Sequence, residues 1–454
     1  MKTMTIEEIC LAVKGEILLP IDKNIEICAI STDTRKIEEN SLFVPFKGEN
    51  FDGHKFIEDA FKKGAVCALS SEKVFVSKPI ILVEDTRQAF CDLAMYYLSL
   101  FDVKVVGITG SVGKTTTKDI IAGVLETKYK VLKTEGNFNN DIGLPKTIFN
   151  LTHEHQVIVL EMGMNHFGEI SRLSKVAKPD IAVITNVGVS HIENLGSREG
   201  ILKAKSEIFD YMKENGVAVL NIDDDMLCTL KDKIKPKTAW FGIKNHVGYF
   251  ANDIETKGIE GISANLNVNG KSIKVSIKIP GEHMVLNALS ATVVGDILGL
   301  GLGEIKEGIE NFVPTAMRMD IIKTGEITII DDAYNANPVS MKVAIDVLCG
   351  GSGRKVAILG DMFELGTFAE ELHYDIGKYV GNKKIDISVC IGENGYNIYK
   401  GIIEHGSEAF YFKTQDDFIS SGVEKIIKCG DICLVKASRG MNFERTVEKL
   451  QGVK

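Results

Sequence analysis

The chain has 454 residues, 44% of them hydrophobic and 25% charged, with a formal net charge of −9. At roughly 100–200 residues per domain it holds two to four domains, each long enough to bury a core. The acidic balance argues against a general affinity for nucleic acid or an anionic membrane, and no apolar run reaches the roughly 18 residues of a membrane span.

Nine cysteines run from Cys10 to Cys433 without a CxxC pair, and they read as thiols of a reducing cytosol. The N-terminal MKTMTIEEICLAVKGEI carries Glu7 and Glu8 in its first turns, so it reads as an amphipathic helix rather than a signal peptide. A cytoplasmic enzyme is expected, with no membrane insertion and a monomer as the simplest state.

In chain order, ISTDTR leads into NSLFVPFKG, FDGHKFIEDAFKKGA reads as a turn and a helix, and CALSS and PIILVED read as short strands. KVVGIT, GITGSVGKTTT and TKDIIAGVLETKY then read as strand, loop and helix. This is the setting of a phosphate-binding loop, yet the usual G-x-x-x-x-G-K-[ST] spacing would put its first glycine at Ile108. Gly107 and Gly110 are present instead. Backbone N–H groups between Gly110 and Thr115 can surround phosphate oxygens, Lys114 can reach the β- and γ-phosphates, and Thr115 can offer its hydroxyl to Mg²⁺. The Asn-Lys-x-Asp guanine motif is missing at a strand end, which favours adenine.

TEGNFNNDIGLP, with Asn137, Asn139 and Asn140, reads as a turn or as a substrate-facing loop. VIVLEMG ends a buried strand on Glu161, either a solvated strand-end acid or a partner of Thr115 in a Mg²⁺ site. TNVGVSHIENLG places His191 after the next strand, as a structural imidazole or as a ligand of Mg²⁺ or Mn²⁺. EGILKAKSEIF reads as a helix whose Lys203 and Lys205 lie at the surface. VAVLNID adds a further buried strand, and Asn269-Gly270 marks a hairpin that extends the sheet antiparallel. A helix HMVLNALSATVVGDILGLG closes this block. Beyond Pro314, the strands EITIIDD, KVAILGD, DISVCIG and DICLVKAS alternate with helices, a second open α/β unit.

The loop TGSVGKTT, the strand-end LEMG, the TNVG-x-x-H run and the AKxEIF helix together resemble the Mur ligases, ATP-dependent amide-forming enzymes of peptidoglycan precursor synthesis. DDAYNANPVSM, LGDMFELG with His373 beyond it, and TEGNFNNDIGLP resemble the branch that adds D-alanyl-D-alanine to UDP-N-acetylmuramoyl-tripeptide (UDP-MurNAc-tripeptide). The resemblance spans the whole chain, STDTR and FDGH included, and implies an α/β protein of three domains. These are a small UDP-substrate domain at 1–98, a central P-loop ATPase domain with a mostly parallel sheet at 99–313, and a Rossmann-like domain at 314–454.

The resemblance also implies roles. Ser31, Thr32, Asp33, Arg35, Asp52 and His54 would bind the UDP end of the substrate. Gly110, Ser111, Val112, Gly113, Lys114, Thr115 and Thr116 would hold the ATP phosphates. Thr115, Glu161 and His191 would organise two Mg²⁺ ions, and Lys205, not Lys203, matches a lysine that is carbamylated in related ligases. Asn287 would contact adenine, in a stretch that departs from the frequent G-x-H-N pattern because Met284 follows His283. Arg318 would reach the γ-phosphate. Asp332, Tyr334, Asn335 and Asn337 would line the nucleotide and dipeptide side, with Asn137, Asn139 and Asn140 towards substrate and Ser438 and Arg439 facing the cleft. Lys114, Lys205, His191 and Arg318 would carry the chemistry. An acyl phosphate must be kept from water, so a hinge is expected near 312–316. A folylpolyglutamate-type ligase and a mechanical NTPase are the competing readings.

Overall fold

The computed structural model describes residues 1–18, 22, 24–74, 76–422 and 425–453. Its strands form sheets of five, nine and six strands and one two-stranded pair. The chain enters on helix Ile6–Ala12, started by a capping box: Glu8 N–H donates to Thr5 Oγ1 and Thr5 N–H to the Glu8 carboxylate.

The five-stranded sheet runs Glu16–Ile17, Ile80–Leu82, Ala65–Ser70, Ser41–Phe43, Ala29–Ser31 in space. Only its first pair is antiparallel. In the nine-stranded sheet, Lys104–Thr109 lies between Val157–Glu161 and Ile181–Ile184, all parallel. Val157–Glu161 and Ile181–Ile184 are buried along their whole length, as parallel strands covered on both faces must be. The hairpin strands Ile262–Val268 and Lys271–Ile277 add the antiparallel edge. Asn269 and Gly270 take φ of 48° and 83° at its turn, the left-handed pair that a two-residue hairpin needs.

The six-stranded sheet runs Asp320–Lys323, Thr328–Asp331, Ile432–Lys436, Lys355–Gly360, Ile387–Ile391, Ala409–Phe412. It is parallel apart from the first pair. Helix Glu282–Ile297 is buried over most of its surface, packed on strands of the central sheet and alongside helix Lys114–Glu126, which lies on other strands of the same sheet. That packing fixes the direction of the helix that follows the phosphate-type loop.

Several strands are not apparent in the sequence. Lys237–Gly242, for example, begins with two exposed residues, and the edge strand Val131–Lys133 is half-buried throughout, so neither gives a continuous apolar run. The 311–319 stretch between the larger sheets has no regular structure, and Thr315 Oγ1 within it donates to Asp119 Oδ2 on helix Lys114–Glu126 at 2.9 Å. Among the described residues no helix is long and apolar enough to cross a membrane.

Candidate active site

A cavity of about 710 Å³ opens at the C-terminal ends of the central strands, where an open α/β sheet places its ligands. The loop at its floor is braced from the neighbouring strand end. Ser111 N–H donates to Asn186 O and Val112 N–H to Asn186 Oδ1, while Thr185 Oγ1 and Asn186 Nδ2 both donate to Val112 O. Gly110 is required here, because a Cβ would stand 1.9 Å from Thr185 Oγ1. Gly113 (φ 82°) starts helix Lys114–Glu126 without a side-chain cap. Thr117 is the first residue to close a helical bond, onto Gly113 O. The N–H groups of Gly113 to Thr116 have no protein acceptor among the described residues, the arrangement that favours an anion at a helix N-terminus.

Ser111, Val112, Gly113, Lys114, Thr115 and Thr116 all line the cavity. Lys114 Nζ donates to Gly110 O at 2.8 Å. Desolvation lowers the Lys114 pKa, Arg318 adds to the effect, and Glu161 and Glu364 oppose it. Glu161 is 2% exposed, so it is not a solvated strand-end acid. It accepts from Thr115 Oγ1 at 2.8 Å and from Asn139 Nδ2 at 2.9 Å. Asn137 and Asn140 line the same wall, and Asn140 Oδ1 also caps the N–H groups of Ile142 and Gly143.

His191 lies in the left-handed region at φ 63°, a conformation uncommon outside glycine. Its Nδ1 is 2.7 Å from Glu364 Oε2, a contact between the central and the six-stranded unit. This contact holds the Glu364 carboxyl below its ordinary pKa. Lys205 is 2% exposed and is not among the residues that line the cavity, while Lys203 is exposed. The surface reading is therefore corrected for Lys205. Its amine has no ion-pair or hydrogen-bond partner among the described residues, and burial, reinforced by the field of Lys114, drives its pKa well below the ordinary value.

The six-stranded unit supplies the roof. The Arg318 guanidinium stacks on the Tyr334 ring at 3.9 Å. Met317 and Met319 on either side of it have φ of 62° and 55°. The turn is fixed by Tyr334 N–H donating to Met317 O and Met319 N–H to Asp332 Oδ1. Asp332 is paired with the buried Lys436, which also donates to Asn335 O at 2.9 Å. Asn337 caps helix Pro338–Cys349 and donates to Ser190 Oγ of the central unit at 3.2 Å. Asn287 lines the cavity, and its Oδ1 accepts from Thr117 Oγ1 at 3.1 Å.

Other expected residues lie elsewhere. Ser438 is buried, with its Oγ accepting from Phe363 N–H, and the exposed Arg439 pairs with Glu444 and approaches Met317 Sδ at 3.9 Å; neither lines the cavity. Ser31, Thr32, Asp33, Arg35, Asp52 and His54 belong to the five-stranded unit, outside the cavity. His54 is buried with Nδ1 on Asp52 and Nε2 accepting from Ser71 N–H, so both ring nitrogens serve the fold. Arg35 is spread on Asp33 at the surface. Cavity residues that sequence reasoning missed include Arg87 and Arg172, both beside Asp141, and Lys436 and Glu364. Glu364 lies inside the LGDMFELG stretch and Lys436 inside the strand stretch DICLVKAS.

His283 also lines the cavity, and burial pulls its pKa from 6.5 to about 4. The unfolded chain therefore binds this proton more readily than the folded one. Stability is expected to be fully present above pH 6.5 and to fall as pH drops towards about 4. Urea midpoints measured across that window should show the fall, and His283→Asn should flatten it; an equal slope in the variant would remove the assignment.

A phosphate-type loop, a buried carboxylate and an imidazole that follow the two strands flanking it, and an arginine from a second α/β unit gather at one cavity, the arrangement of an enzyme that handles a nucleotide. The chain belongs to the Mur ligase family. The family's catalytic-domain model matches residues 26–97, its middle-domain model 108–295, and its glutamate ligase domain model 317–439. The UDP-N-acetylmuramoyl-tripeptide–D-alanyl-D-alanine ligase of Bacillus subtilis (strain 168) is 40% identical over 98% of both chains. Its counterpart in Escherichia coli (strain K12) is 34% identical over 94% of both. A crystal structure of MurF from Acinetobacter baumannii superposes with a TM-score of 0.93, at 32% identity and 99% coverage of both chains. MurF from Thermotoga maritima, solved in complex with ADP, gives 0.84 at 31% identity, over 93% of this chain and 97% of that one.

Proposed function

We propose that the chain joins D-alanyl-D-alanine to UDP-MurNAc-tripeptide, using ATP and passing through an acyl phosphate. The observation that carries this reading is the end-to-end match to D-alanyl-D-alanine ligases, in a chain whose Lys114 and Arg318 face one cavity from two α/β units. The sheets and the family matches support units at 1–98, 99–313 and 314–454 for the UDP substrate, ATP and the dipeptide.

A carboxylate acylates poorly because its leaving group would be oxide. Attack of the tripeptide carboxylate on the γ-phosphorus gives an acyl phosphate and ADP. The dipeptide amine then adds to the acyl carbon, and phosphate leaves. Two anions meet in the first step, and Lys114 and Arg318 neutralise the charge that develops there. The free N–H groups of Gly113 to Thr116 orient the phosphates, Asn287 meets the base, and the Asn137–Asn140 loop faces the acyl substrate.

The donor set fits divalent cations: Thr115 Oγ1 and Glu161 already lie together, and the His191 imidazole lines the same cavity beside the Glu364 carboxylate. Thr115, Glu161, His191 and a carbamylated Lys205 would hold two Mg²⁺ ions, with Mn²⁺ as a possible substitute, and bound metal supplies charge neutralisation on the phosphates. The 312–316 stretch is the proposed hinge, with Thr315 tying it to the helix behind the loop.

The test is phosphate release from ATP with Mg²⁺ and UDP-MurNAc-tripeptide, D-Ala-D-Ala, both, or both with a single amino acid in place of the dipeptide. Release only with tripeptide and dipeptide together, matched by UDP-MurNAc-pentapeptide in the mass spectrum, is expected. Release that ignores both substrates would return the chain to the mechanical NTPases.

A further inference from the structure

Most cavity carboxylates already have work. Glu161 serves the proposed metal set, Asp332 is neutralised by Lys436, and Asp141 lies between Arg87 and Arg172. Glu169 takes the N–H groups of Asn165 and His166. Glu364, in the LGDMFELG stretch, has none in the mechanism above.

The fold nevertheless goes to some length to present it. Glu364 sits at φ 63°, a conformation that costs a non-glycine residue of order 1 kcal/mol or more. Three buried groups hold its loop. His373 accepts from Met362 N–H at 2.8 Å through Nε2 and donates to Ala369 O through Nδ1. Ser438 Oγ accepts from Phe363 N–H at 2.9 Å. Asp361 opens the loop and accepts from Gly395 N–H at 2.7 Å. Held in this way, the Glu364 side chain remains 57% exposed at the cavity and reaches His191 on the central unit.

We propose that Glu364 holds the ammonium end of the incoming dipeptide. This rests on the ligase reading above. The dipeptide arrives with an α-amino group whose pKa is about 8, so it enters mainly as a cation. The chemistry centre is rich in positive charge, with Lys114 and Arg318 facing the phosphates. An ammonium approaching that centre needs a fixed carboxylate, and Glu364 offers one from the unit that the reading assigns to the dipeptide. His373 and Ser438 are then positioning residues that act through the 361–365 loop.

Initial rates for wild type, Glu364→Gln and Glu364→Asp, with each substrate and Mg²⁺ varied in turn, test this. Glu364→Gln should raise the KM for D-Ala-D-Ala by about tenfold or more, the usual worth of a charge-assisted contact. Glu364→Asp should recover part of that loss. The KM values for ATP and UDP-MurNAc-tripeptide and the thermal midpoint should stay near wild type. An unchanged dipeptide KM overturns the proposal, as does a shifted Mg²⁺ requirement with the dipeptide KM intact, which would make the metal the cation held. If wild type itself forms no pentapeptide, the ligase reading fails first, and this assignment goes with it.

Discussion

Replacing Arg318 by alanine is expected to lower kcat by about 10³-fold or more, the range seen when an arginine that stabilises phosphoryl transfer is removed. The ATP KM should change far less. The reason lies in how the residue is held. Its guanidinium is stacked on Tyr334, and its backbone is trapped between two left-handed methionines whose turn is bonded to Tyr334 and Asp332. The guanidinium is therefore held in one orientation on its own unit before reaction. It also comes from a different α/β unit than Lys114, and its field lowers the Lys114 pKa. Two cations so disposed repel each other until anions lie between them, and the repulsion is relieved most where phosphate charge is greatest. Arg318→Lys should recover only part of the rate, because an ammonium keeps the charge but not the planar stack. Wild-type kcat in Arg318→Ala would remove the residue from the mechanism.

The parts of this site that local chemistry dictates could be read from the sequence. The strand–loop–helix at 104–126 announces itself by an apolar run, closely spaced glycines and a helical repeat. Val157–Glu161 and Ile181–Ile184 are buried throughout because helices cover both faces, so the positions of Glu161 and the TNVG run follow from counting along the chain. The hairpin at Asn269-Gly270 is legible for the same local reason. What depends on packing between distant segments was not legible. Ser438 belongs to a stretch expected at the cleft, yet it faces inward because Phe363 N–H needs an acceptor there. His54 likewise spends both ring nitrogens on its own unit. Thr185 and Asn186 follow the strand before His191, and their task of bracing Val112 appears only once two parallel strands lie side by side. The Glu364–His191 contact joins two units and leaves no mark in either stretch alone.

Lys205→Ala is expected to be nearly inactive, and acetate or another small carboxylate should restore part of the rate. Lys203 and Lys205 are two apart on helix Arg198–Ser206, so they point to different sides, and only Lys205 is driven inward. A buried ammonium without a carboxylate partner is costly, and the amine relieves that cost by losing its proton. The loss leaves a neutral nucleophile, the form able to take up CO₂ and become a carbamate. The product would be an anion, which the nearby Lys114 favours for the same reason that it disfavours the ammonium. Alanine removes the amine and leaves space where the carbamate would stand, so a diffusible carboxylate can enter and supply the missing negative charge. A role confined to packing predicts a different pattern: lowered thermal stability, activity lost in proportion, and no response to acetate. Lys205→Met, which keeps most of the volume without the amine, separates the two. Near-wild-type activity in Lys205→Met would end the carbamate assignment, whereas inactivity at an unchanged melting temperature, with acetate rescue confined to the alanine variant, would sustain it.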